Sequence, residues 1–436
     1  MEQAVTTNDY PKIVHKWLDI TGVERLDAYV AAGGYEGFKK TLTMKPEAIV
    51  AEVKNSGLRG RGGAGFSTGM KWELMDKRFE PRYLVANDDE GEPCTFKDRE
   101  LTEKLPHQIL EGMMIGSYAL GVKLAFIYIR GEFVKGFQRV QSAIDECHAA
   151  GLLGKNILGS GYDLDIIAHP GAGAYICGEE TALLNSLQGE RGYPKMRPPF
   201  PGQKGGGVYG EPTVVQNVET LSTLPHIVIG GADWYKTVGL PTCPGTRVFS
   251  VSGHVQKPGN YELPMSVTMG ELIEVAGSLR PGRKLKAVIP GGASMPWFTE
   301  QHLSVQMDFD SIAKAGSYGG SGAVTVMDDT TCAVKAALVL VKFFHHESCG
   351  WCTPCREGTD WLEKLCHRVE HGHGEMRDLE VLLDMIDNIN GPRSFGTHKT
   401  FCLLGPSAGA SVRSSLQYFR DEWEYHVKHK KCMVNG

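Results

Sequence analysis

Apolar positions along this chain fall into two regimes. Up to about residue 330, short β-rich runs alternate with glycine loops and helical stretches; beyond it, apolar residues recur with a helical period. Pro46 predicts the start of a helix that places Ile49, Val50 and Val53 on one face before Gly57 stops it. Runs at 83–86, 125–130 and 164–168 read as strands. Alternation of this kind predicts an α/β domain on a largely parallel sheet over residues 46–240, preceded by an irregular or helical lead-in over 1–45.

The segment Pro241-Thr-Cys-Pro244 breaks the pattern. After it, 248–255 alternates as a strand, Lys257-Pro258-Gly259-Asn260 turns, and 261–263 returns. Thr268 with Glu271 three residues on is a capping box for a helix over 269–276. Further strands at 287–290 and 322–327 complete a small beta-grasp-like α+β domain over 241–328. Residues 329–436 then predict a helical bundle with three apolar stripes. Val334, Ala337, Leu338, Val341 and Phe344 form one, and Leu379, Leu382, Leu383 and Ile386 the second, which Asn390-Gly391-Pro392 stops. Val412, Leu416, Phe419 and Trp423 form the third.

Composition narrows the function. A net charge of -5 over 436 residues supplies no basic surface for a phosphate backbone, so nucleic acid is not an expected partner. No apolar run reaches the roughly 18 to 20 residues that span a bilayer, and residues 1–10 carry no secretory pattern, so a cytoplasmic protein is expected, peripheral to a membrane at most. Eleven cysteines, unevenly spaced, point to metal ligation rather than disulfides.

Three of those cysteines stand as Cys349-Gly-Trp-Cys352-Thr-Pro-Cys355. Three thiolates this close can hold three corners of a cuboidal [4Fe–4S] cluster, and Cys402, before the last helix, is the natural fourth ligand. Cys366 is nearer in sequence but lies on a core-facing stretch with Leu362 and Leu365. A four-cysteine zinc site is the alternative, although such sites usually pair two C-x2-C knuckles. Cys147, Cys243, Cys332 and Cys432 read as packing or surface residues.

Glycine loops suggest a phosphate-bearing cofactor. Gly60-Arg61-Gly62-Gly63-Ala64-Gly65 fits G-x-G-x-x-G, yet a helix rather than a strand precedes it, unlike the usual dinucleotide fingerprint. Bare backbone N–H groups, Arg61 and nearby Lys71 could still hold a phosphate. A second loop, 171–181, opens a helix with Glu179 and Glu180 at its start. These acids could complement the helix dipole or bind ribose and shape a nicotinamide pocket. Asn87-Asp88-Asp89-Glu90-Gly91-Glu92 follows the strand at 83–86, where parallel sheets bind ligands. That acidic segment is either a solvated loop or a set of hydrogen-bonding groups for a flavin and a ribose.

Four runs in this order, 57–66, 171–181, 197–201 and 347–355, resemble the flavoprotein subunit of respiratory complex I, and 251–263 resembles that family's beta-grasp segment. The resemblance spans about residues 30 to 425. It implies a Rossmann-like FMN/NADH domain, then a beta-grasp (ubiquitin-like) domain, then a helical bundle holding [4Fe–4S]. The implied activity is that of an NADH dehydrogenase: hydride passes from NADH to FMN, and single electrons pass through the cluster towards quinone. Carried over by position, Gly60, Arg61, Gly62, Gly63 and Lys71 would hold the flavin phosphate and its surroundings. Asn87, Asp89, Glu90, Gly91, Tyr175, Gly178, Glu179, Asn217 and Thr220 would line the flavin. Phe66 and Phe200 would contact NADH, and Glu92, Glu180 and Arg197 would belong to the same site. Cys349, Cys352, Cys355 and Cys402 would ligate the cluster. Asp88, Gly91 and Cys94 stand where the family more often has Ala, Ser and Gly; Gln216 replaces an asparagine and Arg197 a lysine. Implied partners are a thioredoxin-like [2Fe–2S] subunit and a larger iron–sulfur subunit, with membrane contact only through the assembled complex. The nearest rival is the diaphorase subunit of an NAD-reducing hydrogenase or NAD-dependent formate dehydrogenase, chains that often carry further ferredoxin-like extensions.

Overall fold

The structure is a computed structural model that describes residues 10–390 and 399–434. Residues 1–9 and the Gly391-Pro392 helix stop lie outside the described residues. The chain divides into two compact units. One comprises residues up to 91, 95–249 and 260–267; the other comprises 92–94, 250–259 and 268 onward.

The first unit is built on a four-stranded sheet: β1 (Tyr83–Asp88), β2 (Leu124–Ile129), β3 (Asp165–Pro170) and β4 (Thr213–Asn217). Its order is β3-β2-β1-β4 and every pairing is parallel, as the strand–helix alternation predicts. The strand β4 was not among the predicted runs. Helix Pro46–Asn55 buries Ile49, Val50 and Val53, the face read from the sequence. The lead-in is not loose chain. Trp17, Tyr29, Tyr35 and Phe38 are buried in the same apolar core as the sheet. Buried Glu111 fixes this segment: its carboxylate accepts from Tyr29 Oη at 2.6 Å, Tyr35 N at 2.9 Å and Phe38 N at 3.0 Å.

In the second unit, strand Ala323–Asp328 pairs in parallel with residues 250–253 and antiparallel with strand Leu285–Ile289. The Thr268 capping box forms at the start of helix Met269–Val275. Helices Ala333–Glu347, Thr353–Glu370 and Met376–Asn390 share a core with Leu362, Leu382 and Val412. The third predicted stripe belongs to two helices, Leu404–Tyr418 and Arg420–His429, because Phe419 (φ -134°, ψ 39°) leaves helical geometry. Anchors on both sides of the break hold the second helix in its own direction. Trp423 Nε1 donates to Ser415 Oγ at 2.8 Å, and Glu422 accepts from Ala333 N at 2.9 Å. Among the described residues no helix is long and apolar enough to cross a membrane.

Candidate functional site

The strand order makes a site before any side chain is considered. From β1 the chain moves outward to β2 and β3, then returns to place β4 on the opposite side of β1. In a parallel sheet, such a reversal opens a crevice beyond the strand C-termini. Asn87 and Asn217 face each other there in register, at the ends of β1 and β4. Asn217 also caps helix Val218–Gly230, its side chain accepting from Glu219 N at 3.0 Å.

The glycine loop docks on this point. It runs from helix Pro46–Asn55 to helix Thr68–Glu73, confirming that no strand precedes it. Arg61 N donates to Thr220 Oγ1 at 2.8 Å. A Cβ on Gly62 would meet Asn217 Cβ at 2.9 Å, so only glycine fits this approach. Gly63 has a φ of +152° and open space where a Cβ would stand. Gly60 N is taken by Phe66 O, whereas the N–H groups of Gly62 and Gly63 have no partner among the described residues. These are donors suited to an anion. The Arg61 side chain departs from its predicted place. Its guanidinium is fully buried and donates to Tyr235 Oη at 3.1 Å and Pro244 O at 3.0 Å. It braces the loop from beneath.

The acidic segment after β1 is not solvated. Asp88, Asp89 and Glu90 are all buried. Glu90 accepts from Asp98 N at 2.8 Å and Arg99 N at 3.0 Å, so it caps helix Lys97–Lys104. Burial, then the charge of Asp98, pushes its carboxyl up to about 8. Burial likewise drives Asp88 well above the usual carboxylate range, with Asp98 adding to it, while Thr102 Oγ1 donates to it at 2.8 Å. The counter-charge is Lys97, fully buried, with Asp98 at 2.7 Å and Glu219 at 2.8 Å. Asn217 Nδ2 donates to Asp98 at 2.8 Å, which ties this network to the crevice. Sequence reasoning missed Lys97, Asp98 and Glu219. The available signal was a cluster of acids that required a nearby cation.

Across the crevice, Asn87 Nδ2 donates to Gly178 O at 3.0 Å. A Cβ on Gly91 would stand 3.2 Å from Tyr175 Cα, so the two loops approach closely. Glu179 does cap helix Glu180–Leu187, accepting from Thr181 N and Ala182 N at 2.9 Å. Its other oxygen takes Arg197 at 2.6 Å. Glu180 pairs with Lys71 at 2.7 Å and Arg197 at 3.1 Å. Burial works against its charge, but these two cations hold its carboxyl below the ordinary range. Phe66 and Phe200 are 48% and 51% exposed, unusual for large aromatics and suited to stacking on a ligand. In the second unit, Glu92 accepts from Ser294 N at 2.7 Å and Ser294 Oγ at 2.6 Å. The residues of the first unit therefore fit a flat, phosphate-bearing cofactor: bare N–H donors on one loop, amide side chains at two strand ends, and close-packed glycines between them.

The cysteine site assembles in the second unit. Cys349 and Cys352 lie between helices Ala333–Glu347 and Thr353–Glu370, and Cys355 sits in the first turn of the latter. Trp351 and Phe401 rings lie 6.2 Å apart, which brings the Cys402 loop to the same place. Ser348 Oγ is 3.4 Å from Cys355 Sγ. The Cys355 thiol and then backbone N–H groups, Phe401 among them, lower the Cys352 thiol to about 6 against the opposing effect of burial. Cys366 is fully buried on the core side, as its apolar neighbours implied. Four sulfur donors from one loop, one helix start and one neighbouring loop fit a cuboidal iron–sulfur cluster.

Fold and site together define an oxidoreductase class that combines a flavin-type cofactor crevice with an iron–sulfur module in one chain. Residues 53–226 match the "Nuo51 FMN-binding domain", 248–297 the "SLBB domain" and 335–426 the "NADH-ubiquinone oxidoreductase-F iron-sulfur binding region". The chain is 50% identical over 418 residues to an F subunit of the NADH-quinone oxidoreductase of Rhizobium meliloti, covering 95% of this chain and 97% of that protein. It is 46% identical to the corresponding F subunit of Escherichia coli, covering 94% and 92%. A solved NAD+-reducing [NiFe]-hydrogenase chain superposes with a TM-score of 0.83 at 34% identity, covering 96% of this chain and 67% of that one. This chain belongs to the family of NADH-quinone oxidoreductase F subunits.

Proposed function

We propose that this chain is the NADH-oxidising flavoprotein subunit of a complex I–type NADH dehydrogenase, carrying FMN and one [4Fe–4S] cluster and delivering electrons towards quinone. The observation that carries this reading is the glycine loop docked at the β1/β4 switch point, in a chain that also carries Cys349, Cys352, Cys355 and Cys402. When bound, FMN supplies the conversion between a two-electron hydride donor and a one-electron acceptor.

The chain's own work is positioning. Backbone N–H groups of Gly62 and Gly63, with the start of helix Val218–Gly230 beside them, hold the flavin phosphate. Gly60 and the buried Arg61 side chain keep that loop in shape. Asn87, Asp89, Glu90, Gly91, Tyr175, Gly178, Glu179, Asn217 and Thr220 line the flavin. Phe66 and Phe200 stack on NADH, Glu180 faces its ribose or nicotinamide end, and Lys71 and Arg197 set the charge of Glu180. No side chain acts as acid or base in hydride transfer; orientation at near-contact distance is sufficient. The layout follows a lead-in (1–45), a Rossmann-like FMN/NADH domain (46–240), a beta-grasp domain (241–328) and a cluster-bearing bundle (329–436). In the assembly a thioredoxin-like [2Fe–2S] subunit and a larger iron–sulfur subunit accompany it, on the cytoplasmic side of the inner membrane.

The second reading is a hydrogenase-type diaphorase, favoured by the 34% identical solved chain. Relatives at 46–50% identity carry the quinone oxidoreductase name, which favours the first. An absorption spectrum of anaerobically purified protein tests both cofactors. Flavin bands over a broad cluster shoulder, bleaching on NADH addition, are expected. A colourless protein that stays unresponsive to NADH after reconstitution with FMN, iron and sulfide would overturn the assignment.

A further inference from the structure

Two cysteines read from the sequence as packing or surface residues meet a histidine. Cys332 is the N-cap of helix Ala333–Glu347, His426 lies on helix Arg420–His429, and Cys432 follows that helix. Their ligating atoms all lie within 4.8 Å of one another. Cys332 Sγ is 3.3 Å from His426 Nε2. Both sulfurs accept backbone N–H groups at 3.4 Å, Cys332 from Lys335 and Cys432 from Val434. His426 is 1% exposed and Cys332 4%, while Cys432 is half-buried and leaves one side open to solvent.

We propose that Cys332, His426 and Cys432 form a zinc site, separate from the four cluster cysteines, that clasps the C-terminal segment to the start of helix Ala333–Glu347. Two thiolates and an imidazole are the borderline-soft donor set that selects Zn2+, and three protein ligands leave a fourth position for water. Glu370 completes the arrangement. Its Oε2 lies 3.6 Å from His426 Nδ1, the nitrogen facing away from Cys332. At that distance the carboxylate makes an electrostatic contact rather than a hydrogen bond with Nδ1, on the side away from the Nε2 that would ligate. The same oxygen accepts from the Cys332 thiol at 3.9 Å, a contact given up when zinc displaces the thiol proton. Binding releases the thiol protons and forms two Zn–S bonds and one Zn–N bond, with no change in oxidation state.

The test is elemental analysis of the full chain, purified with flavin and cluster in place and dialysed after incubation with equimolar Zn2+. One zinc per chain is expected, absent from Cys432→Ser, whose iron, sulfide and flavin contents stay at wild-type levels. Cys432 is half-buried and lies outside the helices and strands, so that variant preserves the fold. Glu370→Gln is expected to weaken zinc affinity by about 10- to 100-fold. Co2+ in place of Zn2+ is expected to give visible thiolate–cobalt bands in wild type but not in Cys432→Ser. No zinc in wild type, zinc retained by Cys432→Ser, or a Cys332–Cys432 disulfide in the unreduced protein by mass spectrometry would each overturn the proposal.

Discussion

At the scale of single residues, charge buried without water decides most of the site's behaviour. Lys97 touches both Asp98 and Glu219, and all three side chains are buried. Removing one partner of a buried ion network strands the others, so Lys97→Met is expected to cost about 3–5 kcal/mol in urea unfolding. Glu90 sets a pH dependence. Its carboxyl, ordinarily near 4.5, rises to about 8 in the fold, through burial first and Asp98 second. A raised carboxyl pKa means that folding takes up a proton. Its contribution is therefore full below about pH 4.5 and lost as pH rises through about 8. Glu90→Gln is expected to flatten the fall in stability between these limits, by up to about 1.4 kcal/mol per pH unit. An unchanged slope in urea titrations across this range would rule it out. The charge of Asp98 is the largest influence on Glu90 after burial, so Asp98→Asn should flatten the same window.

At the scale of elements, the connections matter more than the regular pieces. The Gly62 loop reaches the crevice only because its second glycine has no side chain to strike Asn217. Gly62→Ala should displace the loop and weaken FMN binding by about tenfold or more, or roughly 1.4 kcal/mol, as read by flavin fluorescence on dilution. Unaltered affinity would remove the loop from the phosphate site. The Thr268 capping box is a simpler case. It satisfies donors at the start of helix Met269–Val275 from both directions, and Thr268→Ala should cost about 1 kcal/mol of stability without changing flavin content. The third apolar stripe shows why element limits were harder to read than element type. Its spacing runs unbroken through Phe419, but contacts from Ser415 and Ala333 hold the two halves as separate helices.

At the scale of the whole molecule, the glycine-loop crevice and the cysteine site belong to different compact units, and each is expected to be disabled without the other. Cys355→Ala is expected to leave NADH-dependent flavin bleaching near the wild-type rate while onward electron transfer to native acceptors falls at least about 100-fold. Wild-type turnover with those acceptors would mean that the cysteine site lies off the electron path.

The sequence by itself determined what local chemistry dictates. Proline, glycine and apolar spacing specified helix Pro46–Asn55 and the three strands β1 to β3, Thr268 and Glu271 specified the capping box, and the cysteine run supplied three of the ligands proposed for the cluster. Ordered motifs identified the cofactor class. Tertiary structure alone decided what depends on residues far apart in the chain. Only the strand order put Asn87 opposite Asn217 and created the crevice. Only folding turned Arg61 inward to Tyr235 and Pro244, paired Lys97 with Glu219, and brought Cys332, His426 and Cys432 within reach of one another. The physical reason is the same in each case. A buried polar group must find its partner wherever the fold supplies one, and sequence spacing does not record that distance.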